Sequence, residues 1–161
     1  MSRNLKTLAL VLAAAIAPSA FAATTADINV SANVNNACAI SGGDLVFGIY
    51  TWEADKTGSM NLTVKCTTDA GYTVALNDGG NAVTGQRKLS DGTNLLNYGL
   101  FSDSGASTTP WNATTTVAGT GNGANQTLSV YGRIASGQST VPASNGADYL
   151  DTVVATVDFT P

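Results

Sequence analysis

Histidine is absent from all 161 residues, which removes the commonest general base and the serine–histidine pairing of hydrolases. Charge is scarce too. Lysine, arginine, aspartate and glutamate make up 11% of the chain, against roughly a quarter in an ordinary globular domain. The few basic residues are scattered, whereas binding a phosphate backbone takes clustered Lys and Arg, so no nucleic-acid partner is expected. Cysteine occurs twice, and two thiols without an imidazole fall short of a zinc ligand set. The ten aspartates are spread through the chain with no pair spaced like glycosidase carboxylates, and they read as solvated or turn-capping groups. Residues 77–81 (NDGGN) lack the alternating ligands and terminal glutamate of a calcium loop and read as a hairpin turn. Together these absences lead to the expectation of no catalytic site, no metal and no other cofactor.

Long apolar runs are missing after residue 22. Before it, Arg3 and Lys6 precede an apolar stretch over 8–17, followed by Pro18 and the small-residue site Ala20-Phe21-Ala22. That order is a secretory signal, and the apolar stretch is well short of the ~20 residues that span a bilayer. The expected organisation is a signal peptide over 1–22 and an exported remainder sized for one domain. Without Arg3 and Lys6, five basic residues face eleven acidic ones, a net charge of −6. With 43% hydrophobic residues the chain has ample material for a core.

In an exported chain thiols oxidise, and the even count makes a Cys38–Cys66 disulfide the default reading. Closing a loop of that size stabilises by about 3.5 kcal/mol in the chain-entropy model.

What the sequence does have is period-2 alternation, repeated in short segments bounded by Gly, Asn, Asp or Ser. Leu45, Phe47 and Ile49 share a face; so do Met60, Leu62, Val64 and Cys66; then Tyr72, Val74 and Leu76; Leu96, Tyr98 and Leu100; Leu128, Val130 and Ile134; and Val153, Ala155, Val157 and Phe159. The stretches 79–85, 102–126 and 136–148 read as loops. Residues 26–34 (ADINVSANV) add a seventh alternating segment, with Ala26, Ile28, Val30, Ala32 and Val34 along one edge. Seven strands and no helical periodicity predict an all-β fold, an immunoglobulin-like sandwich of two antiparallel sheets. Trp52 and Trp111 read as core or interface filler. Residues 94–101, apolar on both faces, read as an interior strand, with an inter-subunit contact as the alternative.

The stretches at 45–50 (LVFGIY), 62–67 (LTVKCT), 72–77 (YTVALN), 96–103 (LNYGLFSD), 126–134 (QTLSVYGRI) and 148–159 (DYLDTVVATVDF), with the two cysteines, resemble the spore coat protein U domain. That domain is shared by subunits of archaic, Csu-type chaperone-usher pili of Gram-negative bacteria. The resemblance implies an incomplete immunoglobulin-like sandwich completed by a donor strand from a neighbouring subunit. By position, Ile28, Val30, Ala32 and Val34 become donor residues in an extension over 23–37. Val153, Ala155, Val157 and Phe159 become one wall of the acceptor groove, and the contact for a chaperone, in a pilin domain over 38–161. The implied partners are neighbouring pilin subunits, a periplasmic chaperone and an outer-membrane usher, and the implied location is the cell surface. The rival expectations are a tip subunit binding a surface through Trp52 or Trp111, and a secreted coat or envelope protein that is complete by itself.

Energetics favour a partner over self-insertion. Ile28, Val30 and Val34 each offer ~1.5–3 kcal/mol on burial, against ~1–2 kcal/mol per residue ordered. Ladder hydrogen bonds must supply the balance. Only Asn35, Asn36 and Ala37 separate Val34 from the tethered Cys38, a reach of ~10 Å.

Overall fold

A computed structural model describes residues 23–144 and 148–159. The leader expected over 1–22 lies outside the described residues. Alternation becomes structure in nine strands: β1 (Cys38–Ser41), β2 (Lys56–Cys66), β3 (Gly71–Leu76), β4 (Lys88–Ser90), β5 (Leu95–Asn97), β6 (Gly99–Phe101), β7 (Val117–Thr120), β8 (Gln126–Ile134) and β9 (Ala155–Phe159). Every pairing is antiparallel. One sheet has the order β1-β2-β8-β6, the second β7-β3-β9, and β4-β5 form a separate ribbon. No helix occurs among the described residues.

The inner faces follow from the side-chain period of two. Along β2, Leu62, Val64 and Cys66 are buried while Asn61 and Lys65 are exposed; along β3, Tyr72, Val74 and Leu76 are buried. Trp111 is 1% exposed and its indole N–H donates to the Val74 carbonyl at 2.8 Å, so the largest core residue is also hydrogen-bonded. Cys38 and Cys66 are opposite one another in the β1–β2 register and joined by a disulfide. Thr67 extends that tie: its N–H donates to the Ala37 carbonyl at 2.9 Å, and its Oγ1 accepts from the Ala37 N–H at 3.0 Å.

Four sequence expectations are corrected. Residues 96–100 are not one strand: β5 and β6 belong to different sheets, and the chain changes sheet at Tyr98. The expected loop 102–126 contains β7, whose Val-Ala-Gly-Thr stretch has little apolar patterning and is ordered by pairing with β3. Residues 77–81 are not a simple hairpin turn. They open a longer loop held by distant groups, with the buried Arg87 guanidinium donating to the carbonyls of Leu76 and Asn77. Residues 45–50 form no ladder, and Ile49 does not share the face of Leu45 and Phe47, because the left-handed Gly48 (φ +72°) between them turns it outward.

Residues 23–33, which belong to a different unit from residues 34–161, are exposed and carry no regular structure. Ile28 is 85% exposed and Val30 88%. A single strand without a ladder partner has too little to hold it extended.

Candidate functional site

Between the two sheets lies an apolar cleft of about 1740 Å³. Its interior is formed by Ile40, Leu62, Leu76, Leu96, Leu100 and Val130, with Tyr98 among them. Residues 42–53 form one side and 148–153, with Ala155, the other.

The 42–53 side is seated by two glycines. Gly58 on β2 and Gly132 on β8 are direct register partners. A Cβ on Gly132 would come within 2.7 Å of the Phe47 ring and 2.9 Å of Leu45; one on Gly58 would lie 2.9 Å from the Val46 carbonyl oxygen. The missing side chains thus make a saddle on which residues 45–47 lie. Leu45, Phe47 and Tyr50 turn inward, and Phe47 meets Tyr98 edge-on with ring centroids 6.0 Å apart. Val46 and Ile49 face outward, Ile49 at 86% exposure. Side chains alternate over 45–47, Gly48 at φ +72° then breaks the pleat, and no strand lies beside the segment.

The opposite side is β9, the end strand of its sheet, and its approach. Asn77 N–H donates to the Val154 carbonyl at 3.0 Å, which fixes the phase of the β3–β9 ladder. Hydrogen-bonded pairs alternate in an antiparallel ladder, so the backbone groups of Ala155, Val157 and Phe159 point away from β3, toward the edge with no strand. β9 runs opposite to residues 45–50. β1 leads into that segment from the Cys66 end, while β9 ends at that same end, with Phe159 opposite Tyr72.

Asp151 anchors the start of this side. Its Oδ1 accepts from the N–H groups of Gly80, Asn81 and Thr152 at 2.8, 3.1 and 2.9 Å, and its Oδ2 accepts the Tyr98 hydroxyl at 2.7 Å. Burial, reinforced by this bond to a carboxylate, pushes the Tyr98 phenol far above its usual range, so it stays a donor. Gly79 has φ +85°, and a Cβ there would collide with the Asp151 carboxylate. The polar cluster therefore joins the cleft interior, through Tyr98, to the residues entering β9.

The predicted site residues divide. Val153 and Ala155 line the cleft; Val157 is half-buried against the core; Phe159, 36% exposed, does not line it. Ile28, Val30, Ala32 and Val34 are all exposed. Sequence reasoning missed the cleft's other side. Its signal was present in the alternation of 45–50 and in Gly132 at a core-facing position, but which strand a segment lacks is not written in the segment.

Comparison with known proteins agrees with this architecture. The Spore Coat Protein U domain model matches residues 24–156. The chain is 33% identical over 166 residues to Protein U of Myxococcus xanthus, covering 90% of each chain. It is also similar to a solved structure, the CsuC–CsuE chaperone–tip adhesion subunit pre-assembly complex from the archaic chaperone-usher Csu pili of Acinetobacter baumannii. There the TM-score is 0.58 at 25% identity, covering 78% of this chain and 40% of the other.

Proposed function

Because the chain belongs to the Spore Coat Protein U domain family, we propose that it is a structural pilin subunit that polymerises by donor-strand exchange into a chaperone-usher surface fibre serving adhesion and biofilm formation. One observation carries the reading: an apolar cleft bounded by two oppositely directed segments, residues 45–50 and β9, each with a backbone edge that no described strand pairs. A strand between them completes both ladders and covers the apolar interior at once.

The extension over 23–37 of the neighbouring subunit supplies that strand. Ile28, Val30, Ala32 and Val34 enter the cleft, and Val153, Ala155, Val157 and Phe159 form the edge that receives them. Before assembly a periplasmic chaperone covers the cleft, and an outer-membrane usher is where the neighbour's strand replaces it. The signal over 1–22 takes the chain to that route, and the fibre stands on the cell surface. The likeness to a chaperone–subunit complex supports a chaperone partner. The role is structural, without catalysis.

Changing Ile28 and Val30 to Asp removes fibres from the cell surface while the subunit still accumulates with its chaperone; intact fibres from that double variant overturn the donor assignment. The family's description as a spore coat domain favours a second reading, a secreted coat or envelope protein complete by itself. It requires a stable monomer from the unaltered chain, which size-exclusion chromatography of the secreted protein separates from a fibre.

A further inference from the structure

The extension has a fixed root. Ala37 is held by both backbone groups to Thr67, and the next residue is bridged to Cys66. This root lies at the end of the sandwich built by the turns around Asp69 and Gly121, where Asp69 N–H donates to the Gly121 carbonyl at 2.9 Å. The cleft reaches the other end, its mouth, where Trp52 and Gln138 line it. There Gly137 N–H donates to the Trp52 carbonyl at 2.7 Å, the Tyr50 hydroxyl to the Ala135 carbonyl at 2.9 Å, and Gln138 and Asn97 bond reciprocally. Root and cleft mouth are thus at opposite poles.

The polarity of an inserted strand decides which poles meet. Residues 45–50 and β9 run in opposite directions, so a strand between them is antiparallel to one and parallel to the other. β9 is the longer regular edge, in an all-antiparallel sheet, and antiparallel pairing is the more stable per residue. Antiparallel to β9, the donor's Val34 ends at the cleft mouth. The other polarity would bring Val34 to the acceptor's root pole, where the acceptor's own extension leaves, and would set root against root. Mouth against root instead keeps each copy's seating surface away from its own departing extension, so the contact repeats along a fibre.

Only Asn35 and Asn36 separate Val34 from the fixed Ala37, so the donor's root pole lies within about 10 Å of the acceptor's cleft mouth, the spacing of packed layers. The mouth is rimmed by Trp52 and Leu150, 56% and 66% exposed. Both lie in sequence outside the two segments that flank the inserted strand.

Resting on the donor-strand reading, we propose that the Trp52–Leu150 rim is a second interface between copies, on which the root pole of the donating subunit seats directly, so that neighbouring bodies are in contact rather than strung on a flexible link. The partner surface is the turn pair around Thr68 and Asn122, beside the donor's own disulfide. The residues there, Thr68, Gly121, Asn122 and Gly123, are small or polar.

The chain's two tryptophans supply the test, because Trp111 is buried and only Trp52 is open to a quencher. Acrylamide quenching is measured on purified fibres of the unaltered chain, on fibres of Trp52→Phe to identify the emission, and on fibres carrying a Gly-Ser-Gly-Ser insertion between Asn35 and Asn36. The expected result is that Trp52 is protected in unaltered fibres and quenched several-fold more strongly in the spaced fibres. The spaced fibres keep the same donor strand in the same cleft. Trp52 freely quenched in unaltered fibres, or equally protected in both, overturns the contact. If the spaced chain does not assemble, disulfide ladders from fibres carrying Trp52→Cys and Asn122→Cys decide, and fibres without ladders overturn it. Absence of fibres from the unaltered chain instead sinks the donor-strand reading, and the contact with it.

Discussion

β2 and residues 45–47 both alternate inward and outward side chains, lie on the same sandwich and contribute to the same apolar interior. β2 has β1 on one flank and β8 on the other, with its register fixed along its length. The 45–50 segment places Leu45, Phe47 and Tyr50 as well as β2 places Met60, yet it has no ladder. Side-chain burial fixes where a segment lies; backbone pairing decides whether it is a strand. The open side of this molecule is short of backbone partners rather than of apolar surface, and that shortage marks the place of a strand from elsewhere.

The comparison is broken most severely from its closed half. Trp111→Ala removes the largest fully buried side chain and its indole hydrogen bond to the Val74 carbonyl, for a loss of about 3–5 kcal/mol. Because Trp111 serves the closed region, the loss should appear equally with the cleft empty or filled. Urea unfolding of the chaperone-released subunit and of the fibre checks this; a loss confined to one state would show that the two regions are not separate.

Gly132→Val sharpens the contrast from the other side. Valine suits the β8 ladder, but its Cβ would occupy the place of the Phe47 ring and Leu45, and overpacking of this kind costs about 1–3 kcal/mol. The open segment has no ladder to hold it and should be the part that moves. In the fibre, where the donor strand pairs with it, amide exchange should therefore quicken over 45–50 while β2 and β8 keep their protection. Exchange quickening along β8 instead would place the strain in the ladder and dissolve the distinction.

The same contrast explains what was legible in the sequence. The alternation over Met60 to Cys66, Tyr72 to Leu76 and Leu128 to Ile134 predicts segments of β2, β3 and β8, because both faces of a central strand report in its own residues. The division at Tyr98 was hidden, since the change of sheet is held by distant groups: the Arg87 carbonyl accepts the Tyr98 N–H, the Gln138 side chain the Asn97 N–H and Asp151 the Tyr98 hydroxyl. β7 was hidden because its order comes from β3 rather than from its own side chains. Val153 and Ala155 were readable as one side of the cleft, while residues 42–53 were not: a segment's pattern names its faces, and its missing neighbour belongs to another part of the chain or to another chain.

The smallest effect concerns a third way of satisfying a backbone, with neither ladder nor neighbour. In the turn joining β4 to β5, the Asp91 Oδ1 accepts from the N–H groups of Thr93 and Asn94 at 2.9 and 2.6 Å, and Oδ2 from the Asn94 side-chain amide at 2.9 Å. The Asn94 side-chain bond, then the backbone bonds of Asn94 and Thr93, lower the Asp91 pKa from 3.8 to about 2. A carboxylate depressed on folding contributes stability that is fully present above its ordinary value of 3.8 and is lost as the pH falls through about 2. The melting temperature of the unaltered protein should therefore exceed that of Asp91→Ala by a constant margin at neutral pH. No histidine titrates there to disturb it. The margin should narrow below pH 3.8 and close near 2. A margin that survives at pH 2 would mean that packing, not the carboxylate, holds the turn. A margin that closes would show a backbone satisfied within its own turn, which is what residues 45–50 and β9 cannot do for themselves.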